Sequence, residues 1–414
     1  MTTATAAPGP PSAPGRNADR DVDDLALLTG PDAPGMLAAA LAAAGGELVS
    51  SRARQVIHQP GSGTTVSYRA WVRWPDGRAG DETLAASAGD LPDGALVLDD
   101  GEARVAVWRF PHDPDLPGLA AACDMAAVAR LLDDLGLGGG AVHLRTRAYR
   151  PRRRAVIEAA SGRGRLFIKV VPPDRVEALH DRHRLLVLNG IPVPQSLGWT
   201  PDGILVLEAL RGRTLRHALR SRTTPIPTGD EILALLDRLP AELAAGPPRR
   251  SWLDKAAHYA AVIGAALPDE AERAARLAET LGAEPHGSDE IVPVHGDLYE
   301  AQLLVDAGRV SGLLDVDTAG PGERLDDLAC LLGHLSVLAQ IDPARAPIIS
   351  RAGAGYLAAF DAAVPPAALR RRVASVVLSL ATGSHRVQER NWPATTRRRL
   401  ELAEAWLASA EERW

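Results

Sequence analysis

The chain has 414 residues, 46% of them hydrophobic, with a formal net charge of −6 and a mean hydropathy of −0.06. That length holds two or three structural units, no run approaches the roughly 20 apolar residues needed to span a bilayer, and the acidic balance argues against a nucleic-acid partner. Cys123 and Cys330, the only cysteines, are too few for a structural zinc site and sit in apolar helical stretches, so buried reduced thiols and a cytoplasmic location are expected.

Residues 1–20 are rich in Pro, Ala and Gly and lack the basic-then-apolar order of a signal peptide, so they read as a disordered leader. Short helices are predicted from Asp21 to Leu28 and over Ala33–Ala44. Between Gly46 and Trp108 the pattern changes to alternating runs, such as Thr65–Trp74, separated by turns at Pro60-Gly61, Pro75-Asp-Gly77 and Asp99-Asp-Gly101. This is a hairpin-rich sheet. With the helix predicted over Leu119–Leu135 it makes a cap subdomain, residues 21–135, closed by the break Gly136–Gly140.

A second sheet is predicted over residues 142–210, with strands His143–Arg150, Ala155–Ala160, Arg165–Val171 and Ile204–Leu207. A helix that Asp174 can cap runs to about Asn189. Helices then dominate residues 211–414: Gly229–Leu243, Trp252–Leu267, Asp269–Leu281, Arg345–Ala363, Pro366–Ala381 and Ala394–Arg413. A small β-rich lobe followed by a large helical lobe is an α+β arrangement with a cleft between them.

Chemistry concentrates between Val292 and Ala329. The strand Ile291–Val294 delivers His295-Gly296-Asp297, and Gln302 follows Asp297 by five residues. A hairpin then returns Gly312-Leu-Leu-Asp315. A kinase catalytic loop has the same spacing, with Asn where Gln302 stands. Asp297 can take up the proton of an attacking hydroxyl. Gln302 and Asp315 offer the hard oxygens that magnesium prefers. Upstream, Lys169 ends a strand as a phosphate-pairing lysine would, and it is one of only two lysines, with Lys255, among 46 basic residues. On the next helix Asp181, or Glu177 one turn before it, can orient that lysine. Glu208 and Leu210 lie where a strand-end hinge would meet adenine, although Glu208 reads equally as a solvated charge. Tyr149–Arg154 occupies the place of a phosphate-covering turn but contains no glycine pattern, and its arginines read as solvated.

His295–Leu304, Leu313–Gly320 and Asp327-Leu-Ala329 together resemble the aminoglycoside phosphotransferase and maltokinase superfamily. Gln302 is similar to the maltokinase branch, and the run Asp315–Arg324 resembles the actinobacterial glucosamine kinases. The resemblance implies a bilobal fold like that of the eukaryotic protein kinases, with an extra N-terminal cap. It also implies ATP and Mg2+ as cofactors, Asp297 as catalytic base and Gln302 and Asp315 as metal ligands.

Glu300, Asp317, Glu323 and Asp326 cluster near Asp297 and suit a cationic, hydroxyl-bearing acceptor. Arg386 and Trp392 suit a sugar ring, or else cap and pack. The expectation is a monomeric sugar kinase without nucleic-acid or membrane partners, converting glucosamine to glucosamine 6-phosphate. An aminoglycoside or other antibiotic phosphotransferase and a maltokinase are the alternatives. A nucleotide-binding pseudokinase is the reading from another class, and the intact Lys169, Asp297, Gln302 and Asp315 set speaks against it.

Overall fold

The computed structural model describes residues 23–138, 140–162, 164–283 and 290–411; the leader expected over residues 1–20 lies outside them. The chain forms two units, one comprising residues up to Pro92 with Leu96–Val107, the other Asp93–Ala95 with Trp108 onward. Among the described residues no single helix is long and apolar enough to cross a membrane.

The first unit opens with helices α1 (Asp23–Thr29) and α2 (Ala33–Ala43). Its sheet contains β1 (Glu47–Gln59), β2 (Gly63–Arg73), β3 (Ala79–Gly89), β4 (Leu96–Asp99) and β5 (Arg104–Arg109), in the order β1-β2-β3-β5-β4. In β2, Val66, Tyr68, Ala70 and Val72 are buried while Arg69, Trp71 and Arg73 face solvent, the alternation of a sheet covered on one face. Tyr68 fixes a helix to that face by donating from its hydroxyl to Leu28 O at 2.6 Å.

The second unit begins with α3 (Leu119–Ala122) and α4 (Met125–Asp134), which were expected to belong to the cap. Leu116, Leu119, Ala122, Val128 and Leu132 instead share a core with Val142, Ile157, Ile168 and Val206. These last residues come from the second sheet: β6 (Val142–Arg150), β7 (Arg154–Ser161), β8 (Gly164–Val170), β9 (Ser196–Trp199) and β10 (Ile204–Glu208), ordered β6-β7-β8-β10-β9. Helix α5 (Pro173–Leu188) packs Val176 and Leu179 against Leu205 and Leu207 on the other face. Side chains alternate along a strand, so Ile168 and Val170 enter the α3–α4 core while Lys169 points to the α5 side.

The helical lobe follows. Strand β11 (Arg213–Thr214) pairs with the hairpin β13 (Leu303–Asp306) and β14 (Arg309–Leu313), and β12 (Ile291–Val294) pairs antiparallel with β15 (Gly320–Glu323). Around them lie α6 (Leu215–Ala218), α7 (Gly229–Asp237), α8 (Ala256–Ala266), α9 (Ala271–Gly282), α10 (Arg324–Ile341), α11 (Ala346–Asp361), α12 (Pro366–Ala381), α13 (Gly383–Arg386) and α14 (Trp392–Glu411). Helix α7 stops at Asp237 rather than Leu243 because Pro240 has no amide hydrogen and disfavours helical backbone before it. Helices α10 and α12 are central, with buried residues all round.

Candidate active site

Two loops build the site, and each is held at both ends by strands. The first, residues 295–302, leaves β12 and enters β13. The second, residues 314–319, leaves β14 and enters β15. The amide of Leu314 donates to Gln302 O at 2.8 Å and ties the loops together. His295 donates from Nε2 to Leu314 O at 2.9 Å and accepts at Nδ1 from the Asp297 amide at 3.3 Å, so the ring is a second brace between them. The amides of His295 and Gly296 both donate at 2.7 Å to the fully buried carboxylate of Asp327, at the start of α10.

Asp315 takes a left-handed backbone, φ 57° and ψ 52°, a conformation Asp tolerates better than most residues. Its Oδ1 accepts from Lys169 Nζ at 2.7 Å and Arg154 Nη1 at 2.8 Å, and its Oδ2 from Gln302 Nε2 at 3.3 Å. Burial opposes ionisation of Asp315, yet the Lys169 and Arg154 cations hold its carboxyl well below the usual range. Asp317 is part of the same cluster: Lys169 and Arg154 also bind its carboxylate, and its carbonyl accepts from Arg182 Nη1 at 2.8 Å. Asp297 is half-buried, and burial pushes its carboxyl up to about 6 despite Arg154 and Arg150 nearby.

The β6–β7 turn lies where a phosphate-covering turn was expected, but its arginines are not the solvated run that was expected. Its shape is set from behind. Asp113 Oδ2 accepts from the Tyr149 hydroxyl and the Arg152 amide, both at 2.8 Å, and Arg152, at φ 64°, reaches back to Asp115 at 2.7 Å. With Arg152 turned away, Arg154 lies on Asp315 and Asp317. Arg150, Arg153 and Arg386 enter none of the ion pairs made by the described residues. Partial burial lowers the pKa of these three, and each is repelled by an arginine among its neighbours. Arginines expected to be solvated therefore line the cleft. The available signal was four arginines in five positions, Arg150 to Arg154, at a strand end.

The donor set fits magnesium, since Gln302 and Asp315 bring an amide and a carboxylate from adjacent loops. Unpaired guanidinium groups around them fit a polyphosphate. The profile of the phosphotransferase enzyme family matches residues 146–374, more than half of the chain. The chain belongs to that family. It is an ATP- and magnesium-dependent phosphotransferase with a hydroxyl acceptor, as the motifs imply. The fold is similar to the aminoglycoside phosphotransferase APH(3'')-Id from Streptomyces rimosus, at 23% identity and TM-score 0.43, over 61% of this chain and 97% of that one. It is also similar to the macrolide 2'-phosphotransferase MphH from Brachybacterium faecium, at 22% identity and TM-score 0.40, over 70% and 99%. No curated protein matches the chain.

Lys169, Asp297, Gln302 and Asp315 thus converge from both lobes. Four other expectations need correction. Asp181 is exposed, as is Glu177, and Lys169 is paired with Asp315 and Asp317 in place of a helix acid. Glu300 is fully buried and held by Arg216 at 2.6 Å, which removes it from acceptor reach. Glu323 pairs with Arg372, which also lies 3.6 Å from Asp326, so both carboxylates face a buried arginine in place of an acceptor. Trp392 starts α14 with its ring edge-to-face on His385, 4.6 Å between centroids, and packs beside Val262–Leu267 of α8 and the turn after it. Glu208 ends β10 with its side chain exposed, its amide donating to Gln195 O at 2.9 Å, and Leu210 lies over Gly312.

Proposed function

We propose that the chain phosphorylates a sugar hydroxyl, with Asp297 as the base and Gln302 and Asp315 as magnesium ligands. The carrying observation is the junction at Asp315, where Lys169 from the sheet and Gln302 from the catalytic loop meet one carboxylate at 2.7 and 3.3 Å. When bound, magnesium ATP would supply the phosphoryl group, and the magnesium would neutralise the charge developing on the phosphate oxygens. Lys169 and Arg154, freed from Asp315 and Asp317, have phosphate oxygens to bind. Arg150 and Arg153 would extend that grip from the turn, and Glu208 and Leu210 would hold the adenine at the end of β10. Asp297, held by the braced loop, accepts the hydroxyl proton.

Glucosamine is the leading acceptor, and its support is the resemblance of the Asp315–Arg324 run. The carboxylate cluster no longer adds to it, because Glu300, Asp317, Glu323 and Asp326 all have arginine or lysine partners. Membership of the phosphotransferase family supports a second reading in which the acceptor is an antibiotic glycoside; the pairing does not, since an aminoglycoside carries more positive charge than glucosamine. Assaying glucosamine, glucose, maltose and kanamycin with ATP and magnesium separates the two. Turnover of glucosamine supports the first, and turnover of kanamycin alone overturns it.

A further inference from the structure

Helix α10 brings two soft donors to the catalytic carboxylate. Cys330 and His334 are four residues apart and so share one helix face. A carboxylate oxygen of Asp297, Cys330 Sγ and a ring nitrogen of His334 all lie within 4.8 Å of one another. The thiol already points at the acid, with Sγ 3.9 Å from Asp297 Oδ1. The imidazole plane is fixed by stacking on Tyr299, 4.2 Å between centroids and 23° between planes. None of this is needed for magnesium phosphoryl transfer, whose ligands lie on Gln302 and Asp315.

We propose that Asp297, Cys330 and His334 form a second metal site that takes a zinc-class ion and silences the enzyme by occupying the base. One oxygen, one sulfur and one nitrogen leave a fourth position of a tetrahedron open for water, the donor pattern of zinc sites that keep an open position. Thiolate and imidazole select this class of ion against magnesium, which prefers oxygen alone. On binding, Cys330 releases its proton to solvent and two anionic ligands balance the two positive charges. The loaded site is therefore neutral, which limits the cost of placing an ion beside Arg150, Arg154 and Arg386. The small closure needed to bring the three donors to bonding distance falls to the half-buried Asp297 carboxylate and the Cys330 thiol, which turn towards the imidazole held by Tyr299.

The silencing rests on Asp297 being the base, whereas the binding does not, and cobalt spectroscopy reads the binding by itself. Cobalt(II) added to the full-length protein without nucleotide is expected to give a sulfur-to-cobalt charge-transfer band and the intense visible bands of a four-coordinate ion. Cys330→Ala loses the charge-transfer band, and His334→Ala weakens cobalt affinity by roughly tenfold or more, by analogy with the loss of even an outer-sphere partner. Circular dichroism and ATP binding show that each variant is folded. A folded wild-type protein without the charge-transfer band overturns the site, as does a band that survives in Cys330→Ala, which would place the ion on Cys123. Zinc inhibition of turnover, relieved in Cys330→Ala relative to its own zinc-free rate, supports the silencing. Inhibition equal in both proteins overturns it. A failed acceptor assay leaves the cobalt result unchanged, so the two readings fail separately.

Discussion

Asp297 has to be ionised to accept a proton, and burial raises its carboxyl to about 6. The raised value makes it a better proton acceptor near neutral pH and narrows its working range. Above 6 it is anionic and competent; as pH falls through 6 it takes a proton from solvent and loses that capacity. The expected profile of kcat/KM is flat on the neutral side and falls about tenfold per pH unit below 6. Asp297→Asn is expected to lower turnover by roughly 100-fold or more while retaining nucleotide binding, and calorimetry with ATP in parallel with the assay checks both. At Arg153 the expectation has a different signature. Arg153→Ala would remove the phosphate contact proposed for it, so KM for ATP is expected to rise about tenfold with little change in kcat. Steady-state kinetics at saturating acceptor measure it. The convergence of Lys169, Asp297, Gln302 and Asp315 was legible because these residues sit at strand ends and at short spacings. The partner of Lys169 was not. Helical phase put Asp181 and Glu177 on one face without saying which way that face turns, and the residues that bind the ammonium lie 146 and 148 positions later.

The catalytic loop as an element depends on a residue outside it. Asp327 accepts from two successive loop amides, both buried, and it is itself fully buried at the start of α10. Asp327→Ala strands both donors and is expected to cost about 3–5 kcal/mol, whereas Asp327→Asn keeps one acceptor and costs less. Denaturant unfolding ranks the two variants against wild type, and the reverse order contradicts the argument. Gly296, which carries the second of these amides, has φ 80°, with Arg249 Nη1 and Thr318 O filling the space that a Cβ would need. Sequence alone flagged the Asp327-Leu-Ala motif but not the helix that carries it. Residues 324–341 are buried on nearly every side, so they show no apolar stripe of helical period. The arginines of the β6–β7 turn were misread for the opposite reason. They look like a solvated surface run until Asp113 and Asp115, nearly 40 positions upstream, fix which of them turns outward.

At the scale of the whole chain, the boundary between its two units falls after Val107, because α3 and α4 complete the core of the second sheet. Composition could mark the change from hairpins to helices but could not assign a short connecting helix to either side. Each unit has buried apolar residues of its own, Leu28, Leu37, Val66 and Val72 in the first and the large cluster around Leu328 and Val376 in the second. Every residue of the proposed nucleotide and metal site lies in the second. Units with separate cores unfold as separate transitions unless their interface couples them. A ligand stabilises only the unit that binds it, by about 4 kcal/mol at a thousand times its dissociation constant. Scanning calorimetry is therefore expected to show two transitions, with magnesium and a non-hydrolysable ATP analogue raising the midpoint of the larger one alone. The enthalpy of unfolding scales with length, so the transition of the first unit, which has the fewer residues, is the smaller and stays in place. A single transition that shifts as a whole would show that the N-terminal unit and the phosphotransferase unit are one cooperative body, and that ligand binding is felt by both.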